Sequence, residues 1–158
     1  MAVQTVADMM AVWQDGVMAT PTNTQFAVAV HVLGYLGTAG AGRLVGASEL
    51  AASTAANPVH VRKVLGPLRD AGLLESSVGK TGGWRLVVDP AELTLATVWR
   101  VVQGDDPVVG LHAPDPACPV GRQVRDDLQV VERRMAAALE AELERTTIAE
   151  LGFAGADV

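Results

Sequence analysis

The side chains that could carry out chemistry are few in this sequence. It has one cysteine, Cys118, and three histidines, His31, His60 and His112. A single thiol provides no disulfide within the chain and no CxxC pair for zinc or redox chemistry. A metal held by His112 and Cys118 would need further ligands from a second chain. With no Ser-His-Asp set, carboxylate pair or phosphate-binding loop, we expect neither an enzyme nor a metal protein.

Two of these residues have competing interpretations. His31 stands among Val30, Val32 and Leu33, which is more typical of a hydrogen-bonded packing residue than of a ligand. Cys118 precedes a long helical segment, whose N-terminal N–H groups would favour the thiolate of an exposed cysteine. Cys118 is therefore either a redox or electrophile sensor or a buried, inert thiol.

Charge is unevenly distributed along the chain. The net charge is −6, which by itself disfavours a nucleic-acid partner. Residues 105–158 hold eleven acidic residues against five basic ones, whereas residues 57–85 hold five basic residues against two acidic ones. The segment 57–85 could therefore bind phosphate groups despite the acidic total.

Helix signals precede this basic segment. An apolar run over about 24–36 predicts a first core helix that ends at Gly37. Ser48 is expected to cap a short helix over about 49–54. Asn57 is then expected to cap a third helix with Pro58 at its first position. Two short helices joined this tightly are typical of a helix-turn-helix.

Hairpin and helix signals follow the third helix. Gly72 is expected to end that helix, and two short strands over about 73–78 and 84–88 flank a glycine-rich tip. Thr94 is expected to cap a further helix that ends at Gly104.

A long amphipathic helix is predicted over about 120–145. Thr147 and Glu150 after it resemble a capping box for one last turn. The apolar residues of the long helix recur every three or four positions, and such a stripe needs a partner surface. They are Val120, Val124, Leu128, Val131, Met135, Ala138, Leu139 and Leu143.

The third helix has the pattern of a DNA-recognition helix. Helical spacing places Val61, Val64, Leu65 and Leu68 on one face and leaves the basic residues near the helix start on the other. A core-facing surface helix would show a similar division. The order of short helix, turn, capped basic helix and basic hairpin favours a helix in the major groove and a wing on phosphates. The alternative is a winged-helix protein-interaction module that does not bind DNA.

A family resemblance adds to this interpretation. The segment around Ala71-Gly72-Leu73, Gly82-Gly83-Trp84-Arg85-Leu86 and Leu93-Thr94-Leu95 resembles the Rrf-two family of bacterial winged-helix regulators. The resemblance extends over about 22–151. It implies a winged helix whose long C-terminal helix builds a dimer, and usually a repressor controlled by an effector.

The resemblance also implies site residues. Reading of the DNA sequence would fall to the start of the third helix, and the wing would touch phosphate or the minor groove. With the two cap residues, the expected DNA-binding set is Ser48, Asn57, Val59, His60, Arg62, Lys63, Lys80, Thr81 and Arg85. The expected dimer interface is Val124, Leu128, Val131, Met135 and Leu139.

The sequence departs from the family pattern at three places. Many members have an aromatic residue at the position of His60, an arginine at that of Val78, and three cysteines in the loop where this chain has only Cys118. The first two departures leave the operator sequence open. The third predicts a branch of the family without an iron–sulfur cluster, because protein-held clusters are commonly ligated by four cysteines.

We therefore expect a mainly α protein with a small β-hairpin wing and a long dimerisation helix. The expected division is an N-terminal extension over 1–21, a winged helix-turn-helix over 22–104, a proline-rich loop over 105–119, and the dimerisation helix with its last turn over 120–151. The expected partners are a duplex DNA operator, a second copy of the chain and a small-molecule or redox effector. Because no membrane span or signal peptide is recognisable, a cytoplasmic protein is expected.

Overall fold

The computed structural model describes residues 24–79 and 81–151. The predictions for the N-terminal extension and for Lys80 lie outside the described residues. None of the described helices is long and apolar enough to cross a membrane.

Three helices form the first half of the fold, as predicted. They are α1 (Thr24–Gly37), α2 (Ala47–Thr54) and α3 (Pro58–Asp70). The buried face of α3 is the predicted one, and it packs against α1 and α2. The aliphatic side chains at the centre of the core are Val32, Leu33, Leu50, Val61, Leu65 and Leu68.

The start of α3 is confirmed, and the start of α2 differs from the prediction. Asn57 caps α3, because its Oδ1 accepts a hydrogen bond from the Val59 N–H at 2.8 Å. The cap residue of α2 is Gly46, and Ser48 lies inside the first turn with no capping bond, so the predicted Ser48 cap is wrong. The reason is tertiary: Val45 exchanges two 2.9 Å backbone hydrogen bonds with Trp84, so the extended chain ends at 45 and the helix begins at once.

The predicted hairpin is present with shorter strands. Strands β1 (Leu74–Ser77) and β2 (Gly83–Leu86) are antiparallel. A Cβ atom at Gly83 would lie 2.7 Å from the Val45 carbonyl oxygen, so this position has no room for a side chain. The glycine therefore permits the bridge that attaches the wing to the segment before α2.

Helix α4 (Leu95–Gln103) connects the wing to the rest of the body. Thr94 caps it as predicted, with its Oγ1 accepting a hydrogen bond from the Thr97 N–H at 3.2 Å. Trp99 packs edge-on against Phe26 of α1, with ring centroids 5.3 Å apart.

The long helix α5 (Pro119–Leu143) differs from the other helices because none of its residues is buried. A short 3-10 helix (Ile148–Glu150) follows it and returns to the body, where Ile148 joins the core. The Thr147 N–H donates to the Glu150 carboxylate at 2.7 Å, which confirms the capping box. The predicted fold class, mainly α with a hairpin wing and a long C-terminal helix, is confirmed.

Candidate nucleic-acid interface

The outward face of α3 carries exposed side chains close to the helix start. Asn57, Val59, Arg62 and Lys63 are all exposed, and 58% of Val59 is accessible although the residue is apolar. The N-terminal end of a helix offers free N–H groups and a positive dipole end, both of which favour phosphate. This surface can therefore approach a nucleic acid.

His60 lies differently from its neighbours on α3. It is half-buried, and its Nε2 lies 3.4 Å from Thr24 Oγ1 at the start of α1. His31 has an analogous link, with its Nε2 3.1 Å from Ser53 Oγ of α2. Both histidines thus join helices of the body, and His60 is turned towards α1 rather than fully outward.

Ion pairs neutralise most arginines of residues 24–104. Four of the five arginines there have a carboxylate within 4 Å; Arg62 has no ion pair with any residue that the structure describes, and neither has the adjacent Lys63. The four pairs are Arg43–Glu49 at 2.5 Å, Arg69–Asp70 at 2.8 Å, Arg85–Glu75 at 2.5 Å and Arg100–Glu140 at 3.2 Å. Among the lysines and arginines that the structure describes in this range, the two without such a partner therefore lie on the outward face of α3.

One of these pairs is part of a three-residue network. The Tyr35 hydroxyl donates to Glu49 Oε1 at 2.7 Å, and Arg43 donates to both carboxylate oxygens. The Arg43 and Tyr35 hydrogen bonds lower the pKa of Glu49 to about 2, against the opposing effect of burial. The network ties the end of α1 to the loop before α2 and to α2 itself.

The wing places its expected site residues in different surroundings. Thr81 is exposed at the tip, and Val78, on the other side of the tip in sequence, is 97% exposed. Arg85 lies back in β2, opposite Glu75 of β1. Arg85 is therefore not a free cation in this structure.

The apolar stripe of α5 faces outward. Val124, Leu128, Val131 and Met135 are each between 41% and 46% exposed. Leu139 is half-buried within the protomer, so it differs from the other four expected interface residues.

Polar contacts attach α5 to the body. The Glu132 carboxylate accepts a hydrogen bond from the Val108 N–H at 3.0 Å, and Arg100 of α4 donates to Glu140 at 3.2 Å and to Glu144 at 3.4 Å. The exposed apolar stripe therefore lies on a part of the helix surface that these contacts do not use.

Cys118 is the N-cap residue of α5. It is exposed, and its Sγ accepts a hydrogen bond from the Gly121 N–H at 3.3 Å. Its exposure contradicts the buried-thiol interpretation for the single chain.

Comparisons with known proteins agree with this architecture. The family model of Rrf2 (Rrf-two), described as iron-dependent transcriptional regulators, matches residues 22–152. The chain belongs to the Rrf2 family. A candidate HTH-type transcriptional regulator of Bacillus subtilis (strain 168), YwnA, is 31% identical over 130 residues, which are 82% of this chain and 95% of YwnA.

Two solved structures extend the comparison. A candidate transcriptional regulator from Lactobacillus plantarum is 28% identical with a TM-score of 0.70, over 81% of this chain and 87% of that chain. CymR, the global cysteine regulator of B. subtilis, is 22% identical with a TM-score of 0.58, over 82% of this chain and 93% of CymR. At that identity, CymR supports the fold alone.

The residues of one chain do not fit the iron that the family description names. Protein-held iron–sulfur clusters are commonly ligated by four thiolates, some replaced by histidine in certain types. This sequence has one cysteine, and residues 24–79 and 81–151 contain no group of three His, Cys, Asp or Glu side chains placed to hold a metal ion.

Sequence reasoning missed the acidic partners of the arginines. Glu49, Asp70 and Glu75 were not singled out as members of the site. The signal for Glu75 was available, because a hairpin with its tip at 78–82 places residue 75 opposite Arg85. The partnership of Glu49 with Arg43 and Tyr35 depends on how α1 packs against α2, which the sequence does not reveal.

Proposed function

We propose that this Rrf2-family transcriptional regulator binds specific duplex DNA as a homodimer, represses the genes that it controls and holds no iron–sulfur cluster. The supporting observation is that Arg62 and Lys63, on the outward face of α3, form no ion pair with any residue of 24–79 or 81–151. Since every other arginine of residues 24–104 is ion-paired, positive charge is available mainly where a recognition helix would meet the major groove.

The position of each residue in the fold indicates its role at the DNA interface. Arg62, Lys63 and the apolar Val59 would reach base edges, and Val59 suits contact with a thymine methyl group. Thr81 and Lys80 of the wing would contact the DNA backbone, while Asn57 and Ser48 would lie beside it at the starts of α3 and α2. Backbone contacts position a protein on the duplex, and base contacts select the sequence.

The homodimer would form through α5. Val124, Leu128, Val131 and Met135 form an exposed stripe on a 25-residue helix, and a second copy offers the same stripe across a two-fold axis. Leu139 would add to the interface only through its exposed part. Such a dimer presents two α3 helices to two half-sites, as two-fold symmetric regulators do.

An effector would act through the loop or through Cys118. The exposed thiol caps α5, the element that would join the two subunits, so its oxidation or alkylation would alter the start of the dimerisation helix. If no cluster is present, the loop over 105–119 is a connector between two helices, with a thiol near its end.

The test begins with DNA fragments of the source genome that the purified protein retains, followed by titration of a retained fragment and of random-sequence duplex. Arg62→Gln and Lys63→Gln should each weaken specific binding by roughly 1–3 kcal/mol where a base contact is lost. Arg133→Gln is the matched control, because Arg133 is an exposed arginine on α5. Lys80→Ala should instead weaken binding to all sequences alike and reduce the salt slope by about one.

Two results would refute the proposal. If the wild type binds neither specific nor random DNA at low salt, a protein-interaction module is the better assignment, as the net charge of −6 would suggest. If protein purified without oxygen shows a charge-transfer absorption that Cys118→Ala abolishes, a cluster is present after all. The proposal predicts colourless protein whose DNA affinity does not change with iron chelators.

A further inference from the structure

The wing contains an acidic residue, Glu75, that forms an ion pair with an arginine of the opposite strand. Glu75 of β1 and Arg85 of β2 are direct cross-strand neighbours, and the Arg85 NH2 group lies 2.5 Å from Glu75 Oε1. Both side chains are about half exposed, whereas the neighbouring pair Leu74 and Leu86 is turned towards the body. The ion pair therefore lies on the solvent side of the wing.

A carboxylate and a phosphate compete for the same guanidinium group. Both accept the paired N–H donors of arginine, and each such bond is charge-assisted. Sequence-independent DNA affinity comes from cations that neutralise phosphates and release counterions. An arginine already neutralised by Glu75 contributes less of that affinity than a free arginine would.

The other three arginine pairs of residues 24–104 do not fit this role as well, and one of them, Arg100–Glu140, joins α4 to α5. Glu49 also accepts a hydrogen bond from Tyr35, so it has a structural task between α1 and α2. Asp70 pairs with its sequence neighbour Arg69 at the far end of α3 from Arg62 and Lys63. Glu75 is the acidic residue that faces the wing arginine.

We infer that Glu75 is a specificity-determining residue: it restrains Arg85 and thereby lowers affinity for random DNA more than affinity for the operator. This inference rests on the proposed DNA binding. Selectivity would then come from two differences in charge: Arg85 of the wing is neutralised, whereas Arg62 and Lys63, which pair with no described carboxylate, remain available for base contacts.

The experiment compares salt dependence for random-sequence duplex. Four proteins are titrated between about 50 mM and 200 mM salt: the wild type, Glu75→Gln, Glu92→Gln and the double variant Glu75→Gln/Arg85→Gln. Glu92 is an exposed acidic residue of the same body without an ion pair to any described residue, so its variant controls for the loss of one negative charge. Melting curves check that each variant folds, and Glu75→Thr serves as a second variant suited to a strand.

Release of Arg85 should add about one phosphate contact. Glu75→Gln should steepen the slope of log affinity against log salt by about 0.9, which is about 3.5-fold in the affinity ratio between those salt concentrations. The ratio of operator to random affinity should fall, and the double variant should return to the wild-type slope.

Three outcomes would overturn the inference. A Glu75→Gln slope equal to that of Glu92→Gln would mean that only overall charge matters. A double variant as steep as Glu75→Gln would mean that Arg85 is not the group released. In either case the wild type still binds its operator, so the proposed function survives; a wild type that binds no DNA would remove both.

Discussion

Two amphipathic helices of this chain differ in the burial of their apolar faces. Helix α3 buries Val61, Val64, Leu65 and Leu68 almost completely, whereas α5 buries none of its 25 residues. Both helices have apolar residues at helical spacing. The difference is that α1, α2 and β1 pack against α3, whereas no residue of 24–79 or 81–151 buries the stripe of α5.

Polar contacts attach α5 to the body and leave its apolar stripe exposed. Its contacts with the body include the Arg100 ion pairs with Glu140 and Glu144 and the hydrogen bond of Glu132 with the Val108 N–H. Exposed ion pairs contribute little to stability, with a median of about 0–1 kcal/mol. Since these polar contacts leave the apolar stripe exposed among the described residues, we predict that α5 completes its packing in a dimer.

The largest expected effect is the loss of this dimer. Leu128→Glu places a charge in the middle of the stripe, where a second copy would have to bury it unpaired, at a cost of several kcal/mol. Sedimentation at micromolar concentration should show a dimer for the wild type and a monomer for the variant.

Ala137→Glu is the control for that experiment. Ala137 is exposed on α5 but about 150° round the helix from the centre of the stripe, so the same charge should leave the dimer intact. A wild type that sediments as a monomer, or a dimer that survives Leu128→Glu, would mean that the stripe of α5 does not build a dimer.

A core substitution should have a large effect that does not depend on assembly. Leu65 is fully buried, so Leu65→Ala should lower the free energy of unfolding by about 2–5 kcal/mol. Leu128→Ala should instead cost an amount that depends on protein concentration, because dimerisation contributes to stability by mass action. Thermal unfolding at several protein concentrations separates the effects of these two substitutions. Melting temperatures that do not depend on concentration for the wild type and both variants would contradict dimerisation.

Much of the fold could be predicted because its signals are local. Asn57, Pro58 and Gly72 delimit α3 through a cap, a fixed φ and a positive φ, none of which needs distant partners. The buried face of α3 and the exposed stripe of α5 follow from periodicity. Periodicity could not tell which of them would be covered within the chain.

The parts that sequence reasoning missed depend on tertiary contacts. Ser48 has the right chemistry for a cap, but the bridge between Val45 and Trp84 starts α2 earlier. His60 has a position typical of a DNA-reading residue, yet its contact with Thr24 turns it towards α1. The partner of Arg43 could not be inferred without the packing of α1 on α2.

A smaller effect on stability is expected for the N-cap residues of α3 and α5. Asn57→Ala removes an oxygen acceptor from the start of α3 and should cost about 1 kcal/mol of unfolding free energy. Cys118→Ala removes only a sulfur acceptor from α5, and sulfur is a weak acceptor, so the cost should be clearly smaller. Urea denaturation measures both, and an equal or larger cost for Cys118→Ala would indicate that the thiol contributes more to α5 than its geometry suggests.

The smallest expected effect is a pH dependence confined to the body. The pKa of Glu49 is lowered from 4.5 to about 2 by its bonds with Arg43 and Tyr35, so the folded state favours the ionised carboxylate. This contribution to stability is fully present above about pH 4.5 and is lost as the pH falls towards 2. The Glu49 side chain is 39% exposed, and solvent screening limits the contribution to within about 1 kcal/mol, or roughly 2–4 °C in melting temperature.

Glu49→Gln should therefore melt below the wild type at pH 6, and the difference in melting temperature should shrink towards pH 2. Melting curves recorded at low salt and equal protein concentrations measure this difference. Glu49→Gln should still sediment as a dimer at pH 6, because the hydrogen bonds of Glu49 join α1 to α2 and do not involve α5. A melting difference that stays constant between pH 6 and pH 2 would show that Glu49 stabilises the body through packing rather than through its charge.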